Sequence, residues 1–444
     1  MRRLENTKYG KIRIVFICAI MLILYSEVGI FKQYLLPITI MRLIVLLVPS
    51  LLLVISSNGI IIKGYEWAWI ATLPFLFINN VALKHGYTIN VACHVGITLF
   101  YFGCRNNDEW IGKVWKIIKV FSIIYAICTF WFILDKGFYN RFIFGLFTAE
   151  DQASLLTNNK LGYAAGLTGH YSHNAMYLTL GTGVFAAELL MKKEKMNINI
   201  SALLGFLLCF IALLSTGKRG PTIFAVCSLG VMYYCFTADK PRGRLIKMIF
   251  IGVLIISGLY ILASFFPQVM LVLERVESAQ ESGNLTNGRD LLTNLALELF
   301  KTKPVFGIGW YGFRYIHIQE YPWFPYMVHV HNVYIQLLCE TGVVGFALYM
   351  IFFIGSYVNG IKILLLERKE KIELPNKAKK FLSFSVFIQT FFLLYSFTGN
   401  PLYDVMIQFP YLMFCSVPVI YTYLYIDESR YRGRFNRLTF RRKI

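Results

Sequence analysis

The feature that most constrains this chain is the spacing of its charges. Apolar runs of about 17 to 25 residues alternate with short basic clusters, and that is the length a helix needs to cross about 30 Å of hydrocarbon. Lipid offers no partner for an unpaired peptide group, so a chain that crosses it in this way crosses as α-helices. Only 15% of the 444 residues are charged and 57% are hydrophobic, against about 25% charged in a soluble domain. The net charge of +20 would suit a nucleic-acid binder if it lay on one face. The cations sit at segment ends instead, which leaves membrane lipids as partner and no nucleic acid. The nine cysteines, among them Cys18, Cys93, Cys128, Cys209, Cys227 and Cys415, lie mostly inside apolar runs without CxxC spacing. Neither a disulfide framework nor a zinc site is expected from them.

The expected architecture is all-α and integral to the membrane, one polytopic domain over 1–444. About twelve spans are expected, near 12–31, 34–57, 67–83, 88–104, 117–134, 175–190, 198–214, 221–237, 246–266, 332–360, 381–398 and 404–425. The basic start, Met1 to Arg13, has no small-residue cleavage site after its apolar run and reads as the opening of the first span. With the N-terminus inside, most of the 44 Lys and Arg fall on the cytoplasmic side, including Lys192 to Lys195, Lys240 to Lys247, 366–380 and 430–443. That bias sets the orientation and puts both termini in the cytoplasm. Two outer segments are longer than connectors, 135–174 and 267–331. Loops beyond about 12–15 residues are usually functional or disordered. The second is rich in aromatics and glycine, so it is expected to be a large folded outer loop.

Chemistry-bearing residues cluster in those outer segments. The turn between spans seven and eight reads Ser215-Thr216-Gly217-Lys218-Arg219-Gly220-Pro221. Pro221 suits the first turn of span eight, whose outward N-terminus carries free N–H groups and partial positive charge. Two cations beside that end make sense if an anion joins them, or if they snorkel toward headgroups. In the long loop, Arg289 opens an amphipathic helix that Asn287 or Thr286 can cap, with Leu291, Leu292, Leu295 and Leu299 on one face and Pro304 beyond its end. Arginine at a helix N-terminus is unfavourable by roughly a few tenths of a kcal/mol, which phosphate binding would offset. Pairing with Asp290 is the alternative.

Gly307-Ile308-Gly309-Trp310-Tyr311-Gly312 spells GxGxxG, but no βαβ unit surrounds it, so no dinucleotide or other cofactor is expected. Its glycines let the backbone turn beneath Trp310, Tyr311, Phe313 and Tyr315 and, further on, Tyr321, Trp323, Phe324 and Tyr326. These aromatics suit an interfacial belt or a sugar-stacking wall. The loop closes on His329-Val330-His331-Asn332, and the first outer segment closes on Gly169-His170-Tyr171-Ser172-His173-Asn174. A histidine with an ordinary pKa of about 6.5 can serve as general base at such a place. A histidine pair could also ligate a metal, but no carboxylate or cysteine nearby completes a site, and none is expected. Simple backbone satisfaction is the remaining alternative.

The topology read from charge places Arg219, Arg289, His331 and His170 together on the outer side. Two arginines suited to a diphosphate, beside a neutral base, are what glycosyl transfer from a polyprenyl-diphosphate sugar requires. Lys218, Asn332, His329, His173, Tyr311 and Trp310 are the candidate substrate contacts around them.

From Gly166 to Tyr349 the chain resembles the O-antigen polymerase and ligase family. The resemblance rests on Ser215 to Gly220, on Arg289 with the helix that runs to Pro304-Val305-Phe306-Gly307-Ile308-Gly309, and on His331-Asn332-Val333-Tyr334-Ile335 leading to Glu340-Thr341-Gly342-Val343-Val344-Gly345. Lys218 is a departure, since the family often has serine there. The resemblance implies the helical glycosyltransferase class with lipid-linked donors, metal-independent and located in a bacterial cytoplasmic (inner) membrane with its site outward. Arg219 and Arg289 would hold the diphosphate, and His331 would be the base or orient the hydroxyl. It further implies an undecaprenyl-diphosphate-linked oligosaccharide as substrate, with a chain-length regulator and a flippase as partners. The expected function is polymerisation in O-antigen, capsule or exopolysaccharide synthesis, with a ligase as the alternative. A flippase, the second alternative, would need cations in a central cavity and no folded loop of about 65 residues.

Overall fold

The computed structural model describes residues 8–26, 39–57, 62–78, 85–106, 108–191, 199–237, 243, 289–320 and 328–427. Their long elements are α-helices: α1 (Lys8–Ser26), α2 (Thr39–Ile55), α3 (Gly64–Thr72), α4 (His85–Gly103), α5 (Glu109–Leu134), α6 (Lys136–Phe142), α7 (Ala149–Lys160), α8 (Tyr171–Leu189), α9 (Ile200–Ser215), α10 (Arg219–Phe236), α11 (Arg289–Thr302), α12 (Phe313–Glu320), α13 (Val333–Arg368), α14 (Asn376–Tyr395) and α15 (Val405–Tyr421). Among the described residues, α5, α13 and α15 with its continuation to Ile426 are long and apolar enough to cross a membrane, and α2 and α9 contribute shorter apolar stretches. The chain is a helical membrane protein.

The expected spans within the described residues coincide with helices, with one exception. The stretch 67–83 is α-helical only to Thr72 and then tightens to a 3-10 turn over Leu73–Phe77, where Pro74 withholds the N–H that would continue the α-helix. The span expected at 246–266 lies outside the described residues, as do Thr286 and Asn287, the basic stretches 192–195 and 430–443, and Tyr321 to Tyr326. The segment 135–174, expected on the outer side, is folded. Asp135 caps α6 by accepting from Phe138 N (2.9 Å), and Thr148 caps α7 by accepting from Asp151 N (3.2 Å). All nine cysteines are free.

At the centre, α15 packs against α4, α13 and α14, while α14 packs against α8, α10 and α13. Nearly every residue of α15 is buried. Its Pro418 cannot donate to the carbonyl of Phe414, and Ser385 Oγ donates to that carbonyl instead at 2.7 Å, the repair a buried proline requires. Phe392 stacks on Tyr411 with centroids 3.7 Å apart, and Phe384 meets Phe414 edge-on at 4.6 Å, which closes the middle of the bundle with aromatic packing.

Charged contacts gather at the helix ends. At one end Arg105 pairs with the buried Glu66 at 2.6 Å, Arg13 Nη2 donates to Gly103 O at 2.7 Å, Lys119 and Lys380 meet Glu188 at 2.7 and 3.6 Å, and Lys379 pairs with Glu367. These are the ends that the basic bias assigns to the cytoplasm. At the other end His173, Lys218, Arg289 and His331 come together. In a variant lacking the exposed Cys227, cysteine at Lys160 on α7 should react with a membrane-impermeant thiol reagent in intact cells. Cysteine at Glu370, beyond α13, should react only after permeabilisation. Labelling of both positions from the same side would overturn the path of the chain.

Candidate functional site

The site is a meeting of helix beginnings. His170 caps α8, its Nδ1 accepting from Ser172 N at 3.1 Å; Asn332 caps α13, its Oδ1 accepting from Tyr334 N and Ile335 N at 3.1 and 3.2 Å; Asp404 caps α15, accepting from Met406 N at 3.0 Å. Lys218 stands at the N-cap of α10 and Arg289 opens α11. Side chains tie these starts together. Lys218 Nζ lies 4.7 Å from the centre of the Tyr171 ring, and His173 Nε2 lies 3.9 Å from Asp404 Oδ2. Arg289 Nη1 donates to Thr398 O at 2.6 Å, and Val333 N donates to Ser396 O at 2.8 Å. His331 Nδ1 and Asn400 Nδ2 are 3.2 Å apart. A methyl on Gly220 would come within 3.3 Å of Thr398 Oγ1, so the turn bearing Arg219 abuts the residue that anchors Arg289. Every helix start contributes partial positive charge, the kind of field an anion favours.

His331 is half-buried and takes a left-handed backbone, φ 60°. Burial pushes its pKa down to about 4, with Arg289 and then Lys218 adding to the effect, so the ring is neutral at pH 7. His170 is held down at about 3, first by burial and then by His173 and Lys218. Of the residues expected from sequence, His331, Arg289, Lys218, His170 and Asn332 thus share one neighbourhood. Arg219 adjoins it at the head of α10. His173 lies on its rim, its side chain 40% exposed.

Three expected contact residues fall elsewhere. Trp310 is fully buried and Tyr311 is only 6% exposed, so neither offers a surface to a sugar. Trp310 packs against Tyr403 (4.8 Å) and Tyr349 (5.9 Å), and its Nε1 donates to Asn90 Oδ1 at 2.9 Å. His329 Nδ1 is taken by Gln336 Nε2 at 2.9 Å. All three belong to a support organised by the fully buried Glu340. Its Oε2 accepts from Tyr311 N (2.9 Å) and Tyr403 OH (2.6 Å), and its Oε1 accepts from Phe313 N (3.3 Å) and Gln336 Nε2 (3.0 Å). Gln336 Oε1 in turn accepts from Val330 N at 3.1 Å, which fixes the strand that presents His331.

The GxGxxG stretch has a packing role. Gly342 interrupts α13 at φ 64°, ψ −170°, and the 304–309 backbone lies directly on that bend. Val343 N donates to Pro304 O (2.9 Å), Ile308 N to Cys339 O (3.0 Å) and Gly309 N to Glu340 O (2.9 Å). A methyl on Gly307 would sit 2.3 Å from the Glu340 carbonyl carbon, and one on Gly342 would sit 2.2 Å from Val305 O. Only glycine permits so close an approach with φ positive.

Residues 204–350 match the O-Antigen ligase family model. The chain is similar to that family over this segment. It is also 24% identical over 224 residues to the Exopolysaccharide production protein ExoQ of Rhizobium meliloti (strain 1021), a match that covers 48% of this chain and 47% of that protein. The chain therefore aligns with about half the length of this curated relative. Both comparisons bear out the resemblance to the O-antigen polymerase and ligase family.

The matched segment 204–350 holds Lys218, Arg219, Arg289, His331 and Glu340, but the site is completed from outside it. Thr398, Asn400 and Asp404 come from the turn between α14 and α15, and sequence reasoning passed over them. Their signal was the polar run Ser396-Phe397-Thr398-Gly399-Asn400-Pro401 between two apolar stretches, a turn composition that says nothing of its partner in space. Leu291 corrects another expectation. Leu292, Leu295 and Leu299 are buried, with Ala296, against Ile308, Phe313, Val330 and Cys339, whereas Leu291 is 53% exposed. Beside the site, Asn332, Tyr334, Ile335, Met350, Phe353, Ile354, Leu393 and Phe397 line an apolar groove of about 550 Å³.

Two substitutions test this support. Glu340→Ala strands several buried donors at about 1–3 kcal/mol each, so the purified protein should lose at least roughly 3 kcal/mol of stability in thermal unfolding. Gly342→Ala should fail to accumulate in the membrane. A native melting curve for either variant would dismiss the clamp as incidental.

Proposed function

We propose that this chain is a metal-independent glycosyltransferase at the outer face of a bacterial cytoplasmic membrane, a polymerase that moves a growing glycan from undecaprenyl diphosphate onto a lipid-linked repeat unit. The observation that carries the reading is the neutral His331 set beside Arg289 and Lys218 where the helix starts meet. A diphosphate among these cations and N–H groups would be stabilised as it leaves, with Arg219 as a further contact. The acceptor's hydroxyl oxygen attacks the anomeric carbon, and the bond from that carbon to the diphosphate oxygen breaks. Its electron pair departs on undecaprenyl diphosphate, and His331 takes the hydroxyl proton.

The topology proposed with this reading has twelve crossings and both termini inside. The apolar groove that begins at Asn332, next to His331, gives the prenyl chain a path from the headgroup into the hydrocarbon. The name of the ExoQ relative supports exopolysaccharide synthesis as the setting, and a chain-length regulator and a flippase would be the working partners. The description of the family as O-antigen ligase supports a second reading with the same site and a different acceptor. A deletion strain separates the two: loss of polymer with one repeat unit still displayed supports the polymerase, and loss of all attached glycan supports the ligase. The aromatic closure of the bundle at Phe392 and Tyr411 weighs against a flippase.

Assayed in chelator, Arg219→Ala and Arg289→Ala should each lose transfer while protein levels stay normal, since a hydrogen bond to a charged group is worth roughly 1.5–3 kcal/mol. Lysine at either position should restore only part, because it cannot form the two-pronged contact. His331→Ala should keep donor binding and lose about 10²- to 10⁴-fold in turnover, the usual share of a general base. If His331→Gln returns to within about tenfold of native, the size of one neutral hydrogen bond, His331 only orients the acceptor.

The pH dependence follows from the same charges. With its pKa lowered to about 4, His331 is unprotonated above that value, so the acid limb of kcat/KM should fall near pH 4 and not near 6.5. Bound diphosphate offsets Arg289 and Lys218, so the acid limb of kcat should lie at higher pH than that of kcat/KM. Superposed limbs near 6.5 would remove His331 from the role of base.

A further inference from the structure

A general base at this position needs its other ring nitrogen fixed, and the neighbour able to do so is Asn400. Its amide nitrogen lies 3.2 Å from His331 Nδ1, while its Oδ1 is buried with no hydrogen-bond partner among the described residues. The two ends of an amide have the same shape, so either can face the ring, and the choice sets the tautomer. With NH₂ toward the ring, Nδ1 is the acceptor and Nε2 carries the hydrogen, leaving no lone pair for a substrate hydroxyl. With Oδ1 toward the ring, Nδ1–H is the donor and Nε2 is free. The charged groups that bear on this ring are cations, Arg289 from α11 and Lys218 from the start of α10. Neither can accept a hydrogen bond from an imidazolium.

We propose that Asn400 is the positioning residue of the transfer: its Oδ1 accepts the Nδ1–H of His331, which presents Nε2 to the acceptor hydroxyl and steadies the ring once it holds the proton. The role rests on His331 acting as base in the proposed reaction. It extends the site to the turn between α14 and α15, outside the matched segment 204–350. That turn is firmly placed, because Ser396 O receives Val333 N at 2.8 Å and Thr398 O receives Arg289 Nη1 at 2.6 Å.

The tautomer can be read without any assay of transfer. In native protein labelled with ¹⁵N-histidine, the His331 signals, identified by their loss in His331→Gln, should show Nδ1 protonated and Nε2 bare at neutral pH. In Asn400→Ala the preference should disappear or reverse. A native Nε2–H tautomer would overturn the assignment even if the transfer reaction proved to be something else. In the transfer assay, Asn400→Ala should lower kcat about 10- to 100-fold, the range seen when partners that orient a histidine are removed, with the donor KM unchanged within twofold. Asn400→Asp keeps an acceptor and adds negative charge, so it should retain more activity than alanine and move the acid limb of kcat/KM upward by a unit or more. A native kcat in Asn400→Ala, or a loss confined to KM, would assign Asn400 to packing or to donor binding and sink the proposal.

Discussion

The carboxylate of Glu340 is the point on which the rest of the outer end depends. A buried carboxylate is costly unless its lone pairs are filled, and here they are filled from three separate stretches: the loop at Tyr311 and Phe313, the helix at Gln336 and the distant Tyr403. The loop thereby loses its freedom. It lies on the Gly342 bend, and the strand from His329 to His331 is drawn against Gln336. A left-handed residue such as His331 costs about 1–3 kcal/mol unless its surroundings over-determine it. The Glu340 network, together with the Asn332 cap, does so.

The same geometry explains how the site tolerates its charge. Positive helix starts, a lysine and an arginine share a small volume, and part of the repulsion is met locally by the Thr398 carbonyl on Arg289, the Tyr171 ring beneath Lys218 and the Asp404 carboxylate near His173. What remains adds to burial in keeping His331 and His170 neutral. A ring with a pKa near 4 is a weak base, and proton transfer is most efficient when the pKa lies near the working pH. Burial is the main cause of the weakness, and an arriving diphosphate would cancel the part that Arg289 and Lys218 add to it. Under the proposed function, the donor thus conditions the base that consumes it, and an empty site has little power to activate water.

Most of the fold was legible because the solvent is lipid. Span length and charge bias follow directly from hydrocarbon thickness, so helices such as α8, α9 and α10 fall where apolar runs predict them. Arg289 at the head of α11 was legible because a cation at a helix start is locally unfavourable and therefore needs a reason. What failed to show was tertiary. An aromatic such as Trp310 looks the same in sequence whether it walls a sugar site or stacks on Tyr403. The register of α11 put Leu291 on the apolar face, although only its neighbours face the Ile308 and Phe313 core. Thr398 and Asn400 come close to Arg289 and His331 across 109 and 69 residues of chain, a separation no local pattern encodes.

The bend at Gly342 also lies between the two stretches of α13 that line the apolar groove. Asn332 and Ile335, before the bend, share a groove with Met350 and Ile354, after it. The ring contact of Phe353 with Phe392 at 5.4 Å aligns that groove with the upper turns of α14, and the clamped loop at 304–309 lies above, against Val343. Under the proposed function a lipid-linked diphosphate would meet Arg289 and Lys218 beside this groove with fewer waters to compete, where each charge-assisted hydrogen bond counts for more than at an exposed surface. On the same proposal the donor comes from the bilayer and the acceptor hydroxyl from the aqueous side, which gives this chain reason to hold Arg289 and His331 side by side next to an apolar groove.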